Sequence, residues 1–294
     1  MGINDDDEIR QRLQIFDELE MQTDASGGYL THSQLRTFTV GGIPTPLIEA
    51  QGGIRNPRDF EGTLSIVNDY NGPYENSYDE NGILHYHFRS GDPDRSFNRK
   101  LRKAAELKLP LILFNKPLPN MYVPVIGVQI VDERIAEGVI LVATGGDVAA
   151  AFDAGAIDKR YVVKLVKQRV HQPAFRAVVL DAYSKKCAIC RLNHADLLDA
   201  AHIIPDADEG GSASVPNGLS LCKIHHAAYD RNLLGIDPDY KVHIDAALLE
   251  EIDGPMLQHG LKAMHLTEIT TPSAIANKPD RDKLAQRFEL FMAS

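Results

Sequence analysis

The sequence predicts an α+β fold in separate domains, and three observations carry that expectation. Between about 41 and 145, short strand-like runs alternate with turns marked by Gly and Pro. From about 159 the pattern returns to helix and becomes strongly basic. In the last third, two cysteine-bearing knuckles frame a segment too short to build a large core of its own. The domains expected are an N-terminal helical segment over 1–40, a curled β-sheet domain over 41–150, a helical basic linker over 151–186, a compact finger over 187–245 and a helical tail over 246–294.

Composition narrows the classes. With 294 residues, 44% hydrophobic and 24% charged, the chain can bury a proper core, which excludes wholesale disorder. No apolar run approaches the length of a transmembrane helix. The start, Met-Gly-Ile-Asn-Asp-Asp-Asp-Glu, has the wrong charge for a secretory signal. Three cysteines make no disulfide framework, so a reducing cytoplasm is expected. The net charge of −10 argues against a protein that coats nucleic acid indiscriminately, not against a site-directed binder.

Residues 5–20 hold seven acids and two arginines, with Ile9, Leu13, Phe16 and Leu19 at helical spacing, which predicts an amphipathic helix with a solvated acidic face. Polar, Gly-rich segments at Ser26–Gly28 and Gly41–Gly42 follow it. Strands are expected at Leu64–Val67, Leu84–Phe88, Leu109–Phe114, Val123–Val131 and Gly138–Val142, with one helix near Asn98–Leu107. Mostly β with one or two helices suggests a small curled sheet or partial barrel. Gly145-Gly146 marks a boundary. Arg95, Arg99, Lys100, Arg102 and Lys103 either track a phosphate backbone or solubilise their helix. Residues 159–191 carry nine Lys or Arg against Asp181 alone, which favours a phosphate-facing helix over a merely solvated one. Pro173 suits the first turn of a helix that follows a break at His171-Gln172.

Cys187-Ala-Ile-Cys190 is one knuckle, and Cys222-Lys-Ile-His225 is a second with the same gap. Three thiolates and an imidazole form a closed four-ligand set suited to tetrahedral structural zinc. Around these knuckles lie His202, Asn217 and His226, with fourteen and eight residues between them.

Asp199-Ala-Ala-His202-Ile-Ile-Pro, Val215-Pro-Asn217-Gly-Leu-Ser-Leu-Cys222 and His225-His226-Ala-Ala-Tyr-Asp230 together resemble the HNH endonucleases, the ββα-metal finger, over about 175–237. The resemblance implies phosphodiester hydrolysis, which needs a base to activate water and a cation to stabilise charge. His202 is expected to be the base, since neutral imidazole does that work near pH 7. His226 and Asp230, four apart on one helix face, are expected to hold magnesium or manganese. By the resemblance, Asn217 holds the loop that carries His202. Many HNH nucleases place a metal ligand immediately before the base, where this chain has Ala201. Either Asp199 supplies that ligand or His226 and Asp230 hold the metal with waters. Just upstream, Arg169, His171, Gln172 and Arg176 are similar to the helical lead-in of bacterial HNH restriction enzymes, which makes them candidate DNA-backbone contacts.

Leu64-Ser-Ile-Val67, Tyr74-Glu-Asn-Ser-Tyr78-Asp79, Asn81-Gly82, His85-Tyr86, Asn98, Leu101 and Leu109–Phe114 resemble an SRA domain, the PUA-like fold that extrudes modified cytosine, over about 52–131. Tyr74 and Tyr86, twelve apart, stand where that family carries the aromatic walls of its base pocket. Asn76 and Asp79 are the nearby groups able to accept from a cytosine amine; the family's acidic reader aligns between them, near Ser77. The tyrosines alternatively pack a half-buried sheet. His85 and His87 alternate with Tyr86 and Phe88, so they read as surface residues.

Together these features predict a PUA/SRA-like reader joined through a helical linker to a zinc-stabilised HNH finger. The function implied is that of a modification-dependent restriction endonuclease acting on double-stranded DNA with 5-methyl- or 5-hydroxymethylcytosine. A homodimer is expected for cutting both strands. Two other expectations stand beside it: an HNH nuclease with sequence or lesion specificity, and a zinc-stabilised DNA-binding module whose nuclease site has decayed.

Overall fold

The computed structural model describes residues 5–79, 83–89, 92–143, 172–205, 208 and 210–294. The chain divides into two compact units, Met1–Ala174 and Phe175–Ser294. The basic helix expected over 159–171, with Arg169 and His171, lies outside the described residues, as do Asn81, Gly82 and Gly145-Gly146. Among the described residues, no helix is long and apolar enough to cross a membrane.

The first unit begins with α1 (Asp5–Ala25), which buries Ile15, Phe16 and Leu19. Its inward face is not the expected apolar row. Ile9 and Leu13 are 39% and 53% exposed, whereas Glu8 and Arg12 are buried. Arg12 Nη2 donates to Glu8 Oε1 at 2.6 Å, and the same guanidinium donates to the carbonyls of Gly62, Thr63 and Pro110. Glu8 also accepts from the N–H of Glu61 at 2.6 Å. Buried carbonyls need donors, so a paired charge takes a place that periodicity would give to leucine.

The strands are β1 (Thr39–Val40), β2 (Ile43–Pro44), β3 (Ile54–Arg55), β4 (Ser65–Asp69), β5 (Ser77–Tyr78), β6 (Leu84–His87), β7 (Leu111–Leu118), β8 (Met121–Arg134) and β9 (Val139–Ala143), with α2 (His32–Arg36) before β1 and α3 (Ser96–Glu106) before β7. While β1 and β2 form a small hairpin, the other seven make one sheet in the order β3-β4-β7-β8-β9-β6-β5. Only β4 and β7 run parallel. Side-chain alternation along β7 serves two layers. Leu111 and Leu113 pack with Leu101 and Ala104 of α3, while Ile112 and Phe114 pack with Ile15, Phe16 and Leu19 of α1. Register shifts in the β7–β8 and β8–β9 ladders bend the sheet.

The basic residues of α3 are largely engaged within this unit. Lys100 donates to the carbonyls of Pro57 and Phe60, Arg102 pairs with Glu133 and Asp94, and Lys103 pairs with Glu106. Three of the five expected backbone-tracking cations therefore serve packing and helix solubility.

The second unit holds most of α4 (Gln172–Ala182), then β10 (Leu198–His202), β11 (Gly218–Cys222), α5 (Lys223–Asp230), β12 (Leu234–Ile236), β13 (Val242–Ile244), α6 (Ala246–Glu250), α7 (Pro255–Gly260) and α8 (Arg281–Met292). Antiparallel β10 and β11 pair in register from Leu198↔Cys222 to His202↔Gly218, and α5 follows β11 directly, giving strand–loop–strand–helix. Phe175, Val179 and Leu180 of α4 and Leu284 of α8 share one core with Leu198, Ala201, Leu219 and Leu221. Lead-in helix and tail are thus walls of the finger's own core. Gly218 makes the α4 wall possible: a Cβ there would lie 2.5 Å from Val179 Cγ2 and 2.9 Å from the Phe175 ring.

Candidate metal centre and catalytic site

Cys187, Cys190, Cys222 and His225 bring their ligand atoms within 4.8 Å of one another. His225 Nδ1 lies 3.1 Å from Cys222 Sγ and 3.5 Å from Cys187 Sγ. Hydrogen bonding from Cys222, working against burial, holds the Cys187 thiol below its ordinary value, so the cluster already favours a thiolate. On the far side of the ring, His225 Nε2 lies 2.7 Å from the Gly260 carbonyl at the end of α7. A carbonyl only accepts, so Nε2 carries the proton and Nδ1 is left as the ligand atom. Three sulfurs and one correctly protonated imidazole fit a tetrahedral cation such as zinc. Spacing alone reveals the four ligands; the Gly260 contact, 35 residues away, leaves no local signal.

Asn217 is fully buried beside the hairpin. Its Nδ2 donates to the carbonyls of Ile204 and Ser212, and its Oδ1 accepts from the N–H of Ile204. The amide therefore ties down the chain leaving β10 immediately after His202. The His202 ring stacks on Phe175, with centroids 4.0 Å apart and planes 18° apart.

His226 on α5 has different neighbours. Its Nδ1 lies 3.6 Å from Asp199 Oδ2 and its Nε2 lies 3.4 Å from Asp230 Oδ2. The structure thus gathers Asp199, His226 and Asp230, while His202 stands on β10 three residues beyond Asp199 with its ring against α4. Asp199 also meets Lys223 at 2.5 Å and Arg176 at 3.5 Å. Burial opposes its ionisation, but hydrogen bonds from His226 and Lys223 outweigh burial and hold its pKa at about 2. Ala201, immediately before His202, is buried in the core and offers no ligand. The two carboxylates flank the His226 imidazole on opposite sides, Asp199 at Nδ1 and Asp230 at Nε2.

Of the lead-in residues, Gln172 is exposed. Arg176 corrects an expectation: its Nη2 donates to the carbonyls of Ala195 at 2.7 Å and Leu198 at 3.0 Å, so it braces the entry to β10 instead of standing free for phosphate.

The first unit contains a cavity of about 380 Å³, within the range of small-ligand sites. Tyr74, Asn76 and Tyr86 all line it, while Asp79 does not. Asp79 Oδ1 accepts from the N–H of Ile83 and Oδ2 lies 3.6 Å from His85 Nε2, so this carboxylate serves its own turn. Tyr74 is 40% exposed and Tyr86 only 5%; the Tyr86 hydroxyl donates to the Gly53 carbonyl at 3.2 Å. Burial, and next the proximity of Tyr74, push the Tyr86 phenol up, so it is neutral at pH 7. Sequence reading missed Asp69 and Lys116, a 2.6 Å ion pair on the cavity wall, and His87, a half-buried lining residue and not a surface one. Cross-strand partners 47 residues apart give no periodic signature.

Residues 187–237 match the HNH endonuclease family, so the chain carries an HNH endonuclease domain over that segment. Among solved structures, it is similar to the modification-dependent TagI restriction endonuclease at 16% identity and a TM-score of 0.33, over 90% of this chain and 91% of that one. It is also similar to the type IV phosphorothioation-dependent restriction endonuclease ScoMcrA at 15% identity and a TM-score of 0.23, over 61% of this chain and 48% of that one. No curated protein matches the sequence.

Proposed function

We propose that this nuclease cuts double-stranded DNA carrying 5-methyl- or 5-hydroxymethylcytosine, in restriction or defence within the cytoplasm. The observation that supports this most is the cavity of about 380 Å³ that Tyr74 and Tyr86 share, in a chain that also holds an HNH domain. An extruded base needs aromatic surface and polar partners, and the cavity offers both.

Chemistry belongs to the second unit. His202 takes the proton from the attacking water, and its stacking on Phe175 fixes the plane of the ring. Asn217, by bonding the backbone on the exit side of His202, keeps that base at a constant depth. His226 and Asp230, with Asp199 beside them, would hold magnesium or manganese, which stabilises charge on the phosphoryl and leaving oxygens. Cys187, Cys190, Cys222 and His225 would hold zinc as scaffold. Gln172 at the start of α4 is a backbone contact. One finger cuts one strand, so a homodimer makes the double-strand break.

The experiment is a digestion panel on matched plasmids that carry cytosine, 5-methylcytosine or 5-hydroxymethylcytosine. Cleavage confined to modified plasmids is expected. Equal cleavage of all three removes the modification claim, and no cleavage with magnesium or manganese removes the nuclease role for this site.

A further inference from the structure

We propose that His87 reads the extruded base, accepting a hydrogen bond at Nε2 from its exocyclic amine, and that Asn76 is the positioning residue that fixes His87 for this task. The proposal rests on the base-extrusion reading above and names the group that performs the discrimination.

The ring's protonation follows from backbone chemistry. The main-chain N–H of His87 donates to Asn76 Oδ1 at 3.0 Å. A backbone N–H only donates, so the Asn76 atom turned toward His87 is oxygen, not nitrogen. That same oxygen lies 3.2 Å from His87 Nδ1. Nδ1 therefore carries the proton, and Nε2 is the ring's lone-pair acceptor in a residue that lines the cavity. Asn76 cannot flip cheaply. Its Nδ2 donates to Asn68 Oδ1 at 3.2 Å, and Asn68 Nδ2 donates in turn to Asn115 Oδ1 at 3.1 Å, across the buried β4–β7 pair. Three amides in series hold one orientation.

This arrangement supplies a reader other than Asp79, the carboxylate expected to accept from the amine; the carboxylates that do line the cavity are paired elsewhere, Asp69 with Lys116 and Glu49 with Arg55. Ser77 is exposed and Asp79 is turned to Ile83, while both hydrogen-bonding ends of the Asn76 amide are engaged. A fixed acceptor favours cytosine, which presents an amine, over thymine or uracil, which present a carbonyl at that position. The ligand class is an amine-bearing base between Tyr74 and Tyr86.

The test is a thermodynamic cycle on the full-length, zinc-loaded protein in calcium buffer, read by fluorescence anisotropy. The probes are one duplex sequence with a central cytosine, 5-methylcytosine, or 5-methyl-2-pyrimidinone, which is the methylated base without its amine. The ratio of affinities for the last two is measured in the parent and in His87→Ala; the cost of opening the pair cancels because both proteins meet the same duplexes. A difference of about fivefold between the two ratios is expected, the worth of one such hydrogen bond. Asn76→Ala should lose most of this coupling, and Asn68→Ala, which leaves the Asn76 oxygen toward His87 but removes the acceptor that braces Asn76 Nδ2, should lose part of it. An unchanged thermal transition of the first unit verifies that each variant is folded. Should the parent prefer 5-methylcytosine, and Tyr74→Ala abolish that preference, while His87→Ala leaves the ratio unchanged, the pocket stands and His87 is not its reader. A parent with no preference for 5-methylcytosine over cytosine overturns both the pocket and the assignment.

Discussion

The two units fix their polar side chains by different means. In the first, Asn76, Asn68 and Asn115 are held in a row by one another on a seven-stranded sheet with apolar layers on both faces. In the second, the site hangs on strands of five residues and a helix of eight, tied by four candidate metal ligands and the amide of Asn217. A large sheet can afford to place polar groups by geometry alone. The finger shares a core with α4 and α8, and a cation would additionally pin its two knuckles to one another. The difference teaches that the same chain should have one metal-dependent unit and one indifferent to metal.

Stripping metal with a chelator, or substituting Cys222→Ser, tests this most severely. Structural zinc contributes an apparent binding energy on the order of 10 kcal/mol, so the second unit should unfold and cleavage should cease. Calorimetry should then retain a single transition, that of the first unit. Two surviving transitions would show that the finger's core suffices without metal.

His202→Ala should lower the cleavage rate by about 10²–10⁴-fold, with affinity for DNA and both thermal transitions unchanged. An accompanying loss of stability would mean that the stack on Phe175 matters more to packing than to proton transfer.

Arg12→Ala probes the other unit. It leaves buried Glu8 without its partner and three carbonyls without a donor, which costs about 3–5 kcal/mol and should lower only the first transition. The double change of Glu8 and Arg12 to Met should recover only the part due to the unpaired carboxylate, because the three carbonyls stay without a donor.

Gly218→Ala, whose new methyl would press on Val179 and Phe175, should cost about 1–3 kcal/mol in the second transition alone.

The smallest effect concerns pH. The hydrogen bond to Asp69 raises the Lys116 pKa, with burial opposing it. A raised lysine stabilises fully below its unfolded value of about 10.4 and loses that contribution as pH climbs through the higher folded value. Lys116→Met should therefore lower the first transition by about 1 kcal/mol or less at pH 7, and the gap to the parent should narrow as pH rises past the unfolded lysine value. A gap that persists there would assign the effect to lost packing.

How much of this was legible in the sequence follows the range of each interaction. The strands at 64–67 and 84–88 and the helix near 98–107 were readable because alternation and periodicity are local. Metal knuckles were readable for the same reason: two-residue gaps are a statement about neighbours. Asn217 was reached by resemblance, and its bonds to Ile204 and Ser212 explain physically why an amide stands there. What failed was polar pairing, long-range in one case and local in two. Arg176 looked free because its carbonyl acceptors lie 19 and 22 residues away. Asp79 looked available because nothing in its spacing shows that it closes its own turn. The inward face of α1 was misjudged because hydrophobicity alone cannot foresee a buried ion pair.

That ion pair also orders events at the ribosome. The acceptors of Arg12 follow it by 50, 51 and 98 residues. The first helix therefore emerges with its guanidinium hydrated and has to wait, unseated, until the stretch ending at Pro110 has been synthesised. A chain that ends before that point thus leaves Phe16 and Leu19 without Ile112 and Phe114, the sheet residues that share their core.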